Sequence, residues 1–202
     1  MNKIISLILA LCCCMSMTVS AFAAEIDTSG GNASTPVSLS TTDDGTLGGN
    51  PSATALRVTV PTALPMAMNQ DGTVTTATDC KIINNSFGAV RVASVTIGAA
   101  NGWKLTAFGD KSTLAGEKVD SNKLGFAIAI GNGQRMSTDN SDAATQNLIS
   151  APIEGCYMTG VGNPAANTVS VNYEAIVTPL SNTMTSATIA NVVFIVEWDT
   201  AA

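Results

Sequence analysis

The chain has 202 residues, of which 46% are hydrophobic and 4% aromatic, and its net charge is −6 with no histidine. Basic surfaces attract phosphate backbones, so this acidic balance makes nucleic acid an unexpected partner. Without histidine the Ser-His-Asp and Cys-His arrangements of hydrolases cannot form, and we expect no enzyme activity and no cofactor.

Residues 1–24, MNKIISLILALCCCMSMTVSAFAA, have the layout of a secretory signal peptide. Lys3 gives a basic start, an apolar run follows, and Ala23 and Ala24 are small residues suited to cleavage. A transmembrane anchor is one alternative, but the apolar run is shorter than the roughly 18 residues that span a bilayer. A lipidated Cys12 is another. We predict a secreted, extracellular protein, associated with the cell surface and free of the membrane after cleavage.

Residues 25–53 are rich in Ser, Thr, Gly, Asn and Asp, and such a composition buries too little apolar surface to offset the entropy lost on ordering. We predict a flexible N-terminal tail. Within it STPVSLSTT, residues 34–42, alternates enough to form a strand when an open sheet edge is available. The remaining residues, 54–202, are predicted to form one domain.

From residue 54 onward, alternating apolar and polar residues separated by turn residues predict half-buried strands. The first, ALRVTVP at residues 55–61, suits a sheet edge because proline cannot donate to an interior ladder. Further along, Asp71-Gly72 predicts a tight turn between two strands.

The segment KIINNSFGAVRVASVTI, residues 81–97, predicts a hairpin of two strands joined by a turn at residues 84–88. Four apolar residues of its second strand fall into two pairs of opposite parity: Val90 with Val92, and Val95 with Ile97. One residue too many separates the pairs. We predict a β-bulge near Ala93-Ser94 that returns all four side chains to one face.

Four further strands are predicted at GWKLTAF (102–108), LGFAIAI (124–130), NTVSVNYEAIV (167–177) and NVVFIVEW (191–198). The last is apolar on both faces, which indicates a central position in a sheet. Residues 138–149 are the place for a short helical turn. About eight strands with Gly-rich and Asn-rich turns predict an all-β antiparallel sandwich of jelly-roll or immunoglobulin-like type over residues 54–202.

Two cysteines, Cys80 and Cys156, follow the predicted signal peptide. In an oxidising compartment they form a candidate disulfide. Two buried free thiols are the alternative, and the sequence is compatible with both states. Two cysteines without histidine cannot build a structural zinc site, so no such metal centre is expected.

Candidate ligand-binding residues are few. Asp139, Asn140 and Asp142 offer oxygen ligands for calcium, but they match no fixed calcium-loop spacing, and a solvated loop is the alternative. A sugar ligand would need exposed aromatic rings. Tyr157, in an irregular segment, is the best candidate for one, and Trp103 is a second, with a core position as its alternative.

Three stretches resemble small exported proteins of Gram-positive bacteria: residues 56–97, the NGWKL that follows them, and the closing NVVFIVEWD. The similar families are surface modules of the WxL type and the TasA and camelysin group of biofilm-fibre proteins. The Trp-x-Leu sequence here is Trp103-Lys104-Leu105, in mid-chain. Resemblance to the fibre group implies β-sandwich subunits joined by a donated strand.

We therefore expect an exported, non-enzymatic structural or interaction module of the cell surface or extracellular matrix, acting in adhesion or biofilm and self-assembling by strand donation. Its expected partners are other surface or matrix proteins, cell-wall glycan, or a second copy of the chain. The alternative function is a carbohydrate-binding module for wall or environmental glycans.

Overall fold

The computed structural model describes residues 55–140 and 142–200, which belong to one unit of the chain, Thr54–Ala202. The signal peptide predicted at residues 1–24 and the tail predicted at residues 25–53 lie outside the described residues.

The described residues form an all-β fold with a single short helix, α1 (Ser112–Ala115). The twelve strands in this part of the chain are β1 (Val58–Thr59), β2 (Met66–Met68), β3 (Val74–Thr76), β4 (Lys81–Asn84), β5 (Val90–Ala99), β6 (Lys104–Thr106), β7 (Lys123–Ile130), β8 (Met136–Ser137), β9 (Thr145–Ile149), β10 (Tyr157–Met158), β11 (Thr168–Val177) and β12 (Ala190–Trp198). Six of them have two or three residues. Alternation needs at least about four residues to be recognised, which explains the smaller count expected from sequence.

Two larger sheets and one hairpin contain these strands. The first sheet has the order β1-β4-β11-β7-β6, with β8 also paired to β7. The second has the order β10-β5-β12, with β9 also paired to β5, and β2 pairs with β3. The β6–β7 ladder is parallel and the other ladders are antiparallel.

Both larger sheets bury side chains in one hydrophobic cluster. The fully buried members include Val92, Val95 and Ile97 from β5 and Leu124, Ile128 and Val171 from β7 and β11. The cluster is largely aliphatic, as the low aromatic content predicts, and Phe126 and Tyr173 add one stacked pair with ring centroids 6.0 Å apart.

The predicted β-bulge is confirmed. In the ladder between β12 and β5, Ile195 lies opposite Ser94 while the next residue, Val196, lies opposite Val92. Ala93 is therefore the extra residue without a partner. The bulge lets apolar side chains on both sides of it enter the core, where each is fully buried.

Two local predictions at the start of the domain are also confirmed. The β1 strand lies at the end of the first sheet, before Pro61, as an edge strand should. Strands β2 and β3 form a hairpin in which Met68 lies opposite Val74. Its turn has Gly72 at φ 78°, a conformation that favours glycine.

The segment of residues 81–97 does not form a hairpin. Strand β4 belongs to the first sheet and β5 to the second, so the turn between them carries the chain from one sheet to the other. The turn is held by the buried Asn84, whose Nδ2 donates to the Gly88 carbonyl at 2.9 Å and to the Thr159 carbonyl at 2.8 Å. A buried amide with these partners fixes a crossing turn that local alternation does not reveal.

The helical turn predicted within residues 138–149 was wrong. Strand β9 occupies the last five residues of that segment and pairs with β5, which buries Leu148 and Ile149, and the helix of the described residues lies instead at Ser112–Ala115. Pairing with a neighbouring strand therefore outweighs local propensity there.

Candidate functional site

Strand β12 is an edge strand, which corrects the prediction that it is central. It pairs with β5 on one side, and no strand of the described residues pairs with its other side. In a central strand the apolar residues of both faces are buried, whereas in β12 Val193 and Ile195 point to solvent and are 54% and 53% exposed. We call the unpaired side of β12 the open edge.

Side chains alternate along the open edge. Val192, Phe194, Val196 and Trp198 are half-buried and pack against the core cluster. The residues between them are exposed: Asn191, Val193, Ile195 and Glu197. The outward row therefore has an apolar centre with a polar residue at each end.

Hydrogen bonds at the two ends of β12 show which backbone groups it leaves free. The Ile189 carbonyl accepts from the Ala100 N–H at 2.9 Å, and the Asp199 N–H donates to the Ala89 carbonyl at 3.0 Å. Both hydrogen bonds lie on the side of the strand that faces β5. The residues that make them at the ends of β12, Ile189 and Asp199, are odd-numbered. Since the N–H and C=O of one residue in an antiparallel strand point to the same side, the even-numbered residues from 190 to 198 present theirs to the open edge.

Charge is confined to one end of the strand. Glu197 pairs with Arg91 on β5 at 2.8 Å, and Asp199 lies 3.6 Å from the same guanidinium. The hydrogen bond to Glu197 raises the pKa of Arg91 above its usual value. The apolar centre of the outward row holds no charge.

No other strand at a sheet margin in the described part of the chain is as long as β12. Its nine residues compare with five in β9, three in β6 and two in each of β1, β8 and β10. Short strands and prolines are usual ways of blunting an edge, and β12 has neither.

The structure separates the two aromatic ligand candidates. Tyr157 is 48% exposed on β10, opposite Arg91, whereas Trp103 is 7% exposed and belongs to the core cluster. Phe87, which the sequence analysis did not single out, is 82% exposed in the turn between the two sheets. Its position inside a polar turn, NNSFG, is the signal that could have identified it.

Cys80 and Cys156 are free thiols in the structure, and their pairing in an oxidising compartment stays a prediction. Cys80 is half-buried at the start of β4. Cys156 is buried in the core cluster, and burial raises the pKa of its thiol.

The three calcium candidates lie in an exposed loop. Asp139 donates its backbone N–H to Oε1 of Gln146 at 2.9 Å. Residues 55–140 and 142–200 contain no group of three His, Cys, Asp or Glu side chains that could hold a metal ion. Calcium binding by Asp139, Asn140 and Asp142 stays a prediction.

A partly open cavity of about 560 Å³ lies between the β2–β3 hairpin and α1. Its apolar wall includes Met68, Val177 and Leu180. Its charged groups are Asp71 and Lys111, paired at 3.2 Å. Hydrogen bonds from Thr73 and then from Lys111 lower the pKa of the Asp71 carboxyl to about 2. This carboxylate is therefore a stable hydrogen-bond acceptor of the hairpin turn.

No family model, curated protein or solved structure matches the chain. Within the described residues, no helix has the length and apolar character needed to cross a membrane.

Proposed function

We propose that this protein is an exported, non-enzymatic structural or interaction module of the cell surface or extracellular matrix, built as a β-sandwich of jelly-roll or immunoglobulin-like type. It assembles with other copies by strand addition at the open edge. The resemblance to exported Gram-positive surface modules of the WxL and TasA or camelysin type supports the same placement, with adhesion or biofilm as its setting.

The open edge of β12 is the observation that carries this proposal. A strand of nine residues, unpaired on one side by the described residues, presents a row of N–H and C=O groups there, and its exposed Val193 and Ile195 add apolar surface beside them. Such an edge is a template for another strand, and backbone hydrogen bonds then supply affinity while alternate side chains supply specificity.

The sequence predicts residues 34–42 as a donated strand, since Val37 and Leu39 share a face and polar residues surround them. The matching experiment compares the chain from residue 25 with the variant Val37→Asp/Leu39→Asp. A control, Ser38→Asp/Ser40→Asp, adds the same charge to the opposite face of the segment. Sedimentation velocity measures assembly over a range of concentrations, and negative-stain microscopy shows its form.

Self-assembly of the unsubstituted chain is the expected result. Its loss in the first variant and not in the control identifies residues 34–42 as the donor. Equal assembly in all three chains excludes that segment as the donor. A chain that stays monomeric at every concentration contradicts the proposal.

Carbohydrate binding is the second candidate function, and two exposed rings favour it. The backbone of Phe87 lies against Gly160 so closely that a side chain at residue 160 would clash, which places Phe87 near the β10 strand that carries Tyr157. Exposed aromatic rings are a usual platform for sugars. A glycan array probed with the chain and with Tyr157→Ala tests this function, and absence of binding by the unsubstituted chain removes it.

A further inference from the structure

We propose that the open edge of β12 pairs with β12 of a second copy, antiparallel and with Phe194 opposite Phe194. The β12-containing sheets of the two copies then form one continuous sheet across a two-fold axis. This inference rests on the proposed assembly at the open edge and names the strand that is added. A β12–β12 pair uses the same backbone groups as a strand donated by residues 34–42, so the two are alternatives for one edge.

The backbone of β12 suits this pairing. The even-numbered residues present their N–H and C=O groups to the open edge, and a two-fold axis at Phe194 sets even residues opposite even residues. Val192 then lies opposite Val196 of the second copy, and Ala190 opposite Trp198. Each such pair exchanges two hydrogen bonds, and the full nine-residue strand is used.

The exposed side chains are complementary in the same register. Val193 lies opposite Ile195 of the second copy, so four apolar side chains meet at the centre of the outward row. Asn191 lies opposite Glu197 at each end, so an amide faces a carboxylate. No like charges oppose each other, and directly opposed apolar pairs stabilise antiparallel strands.

Neighbouring registers are poorer. An axis at Ile195 keeps even residues opposite even residues but sets Val193 against Glu197. An axis at Val193 sets Ile195 against Asn191. Each shift also shortens the overlap of the two strands. The register centred on Phe194 is therefore the one that combines full overlap with matched side chains.

Residues 190–198 also lack the devices that block edge pairing. The segment contains no proline, lysine or glycine. The predicted donor, residues 34–42, contains Pro36, which cannot donate a hydrogen bond to a ladder. A second β12 is for this reason a better partner for the open edge.

Two matched double variants test the register in the chain from residue 25. Val193→Lys/Ile195→Lys places like charges opposite each other twice across the two-fold axis. Val193→Glu/Ile195→Lys places opposite charges there instead. The variants share the change at residue 195 and differ at residue 193. Both positions are exposed, so circular dichroism and thermal unfolding should show the fold intact in both.

Sedimentation equilibrium measures the dimer. We expect the Lys/Lys variant to have a dissociation constant at least roughly tenfold higher than the Glu/Lys variant. Mixing the Lys/Lys variant with Val193→Glu/Ile195→Glu should restore a heterodimer. If the Lys/Lys and Glu/Lys variants associate equally, the proposed register is wrong.

Two other outcomes also overturn the inference. Association that is lost in Val37→Asp/Leu39→Asp, but is unaffected by both changes in β12, assigns the edge to the tail and leaves the proposed function standing. A chain that is monomeric at every concentration tested contradicts both the β12 pairing and the proposed self-assembly.

Discussion

Deleting a single residue of β5 tests the packing logic of the β-bulge. Because Ala93 is the extra residue, its deletion should leave Val90, Val92 and Val95 facing the core, with regular alternation through Ser94. No buried side chain has to turn outward. We expect a loss of about 1 kcal/mol in the free energy of unfolding, the typical effect of a change that leaves the core in place.

Deleting Thr96 from the same strand is the matched control. Even if the bulge absorbs the shift, Val95 must turn to solvent and Ser94 must turn into the core. Val95 is fully buried, and exposing it costs about 1.5–3 kcal/mol. Burying an unpaired hydroxyl adds about 1–3 kcal/mol. The expected loss of about 3–6 kcal/mol is a large part of the 5–15 kcal/mol that holds a typical domain folded.

Urea unfolding followed by tryptophan fluorescence measures the difference, because Trp103 is buried and Trp198 half-buried in the native state. The midpoint should fall far more for the Thr96 deletion than for the Ala93 deletion, with similar slopes. Equal losses in the two deletions would refute the assignment of Ala93 as the extra residue.

Three further predictions concern single residues. A thiol reagent should modify the half-buried Cys80 in the native protein but the buried Cys156 only on unfolding, and peptide mass analysis would show which cysteine has reacted. Equal modification rates for the two cysteines would contradict the burial of Cys156. Since the pKa of Asp71 is lowered from 3.8 to about 2, the stabilising effect of its carboxylate should be complete above pH 4 and lost as the pH falls through 2. An NMR titration that gives an unshifted pKa for Asp71 would contradict this, and so would an Asp71→Asn variant as sensitive to acid as the unsubstituted chain. Tyr173→Phe removes a hydrogen bond to the Pro65 carbonyl and should lower the free energy of unfolding by about 1–2 kcal/mol, as measured by urea unfolding. An unchanged unfolding midpoint would show that this hydrogen bond contributes nothing to stability.

Side-chain alternation predicted the local features of the fold. It located the long strands, and the parity change between Val92 and Val95 was enough to predict the bulge, because successive side chains of a regular strand point to opposite faces and these two residues would otherwise face opposite ways. The turn at Gly72 was predictable because its backbone conformation favours a small set of residues.

Which strands pair with each other was not predictable in the same way. Alternation states which side chains share a face, but it does not state which strand lies beside them. Val193 and Ile195 suggested a central strand because burial was assumed for apolar residues on both faces. The turn at Asn84 suggested a hairpin because its crossing to another sheet depends on the Thr159 carbonyl, which is 75 residues away in sequence. The open edge of β12 could therefore be identified only from the structure.

The position of β12 along the chain affects how the second sheet is completed during synthesis. The ladder joins Arg91 to Glu197, which are 106 residues apart. At a usual translation rate β5 waits roughly 5–20 s for this partner. Until β12 is present one side of β5 has no partner, so chains that stop before residue 190 should be digested faster by added protease than complete ones.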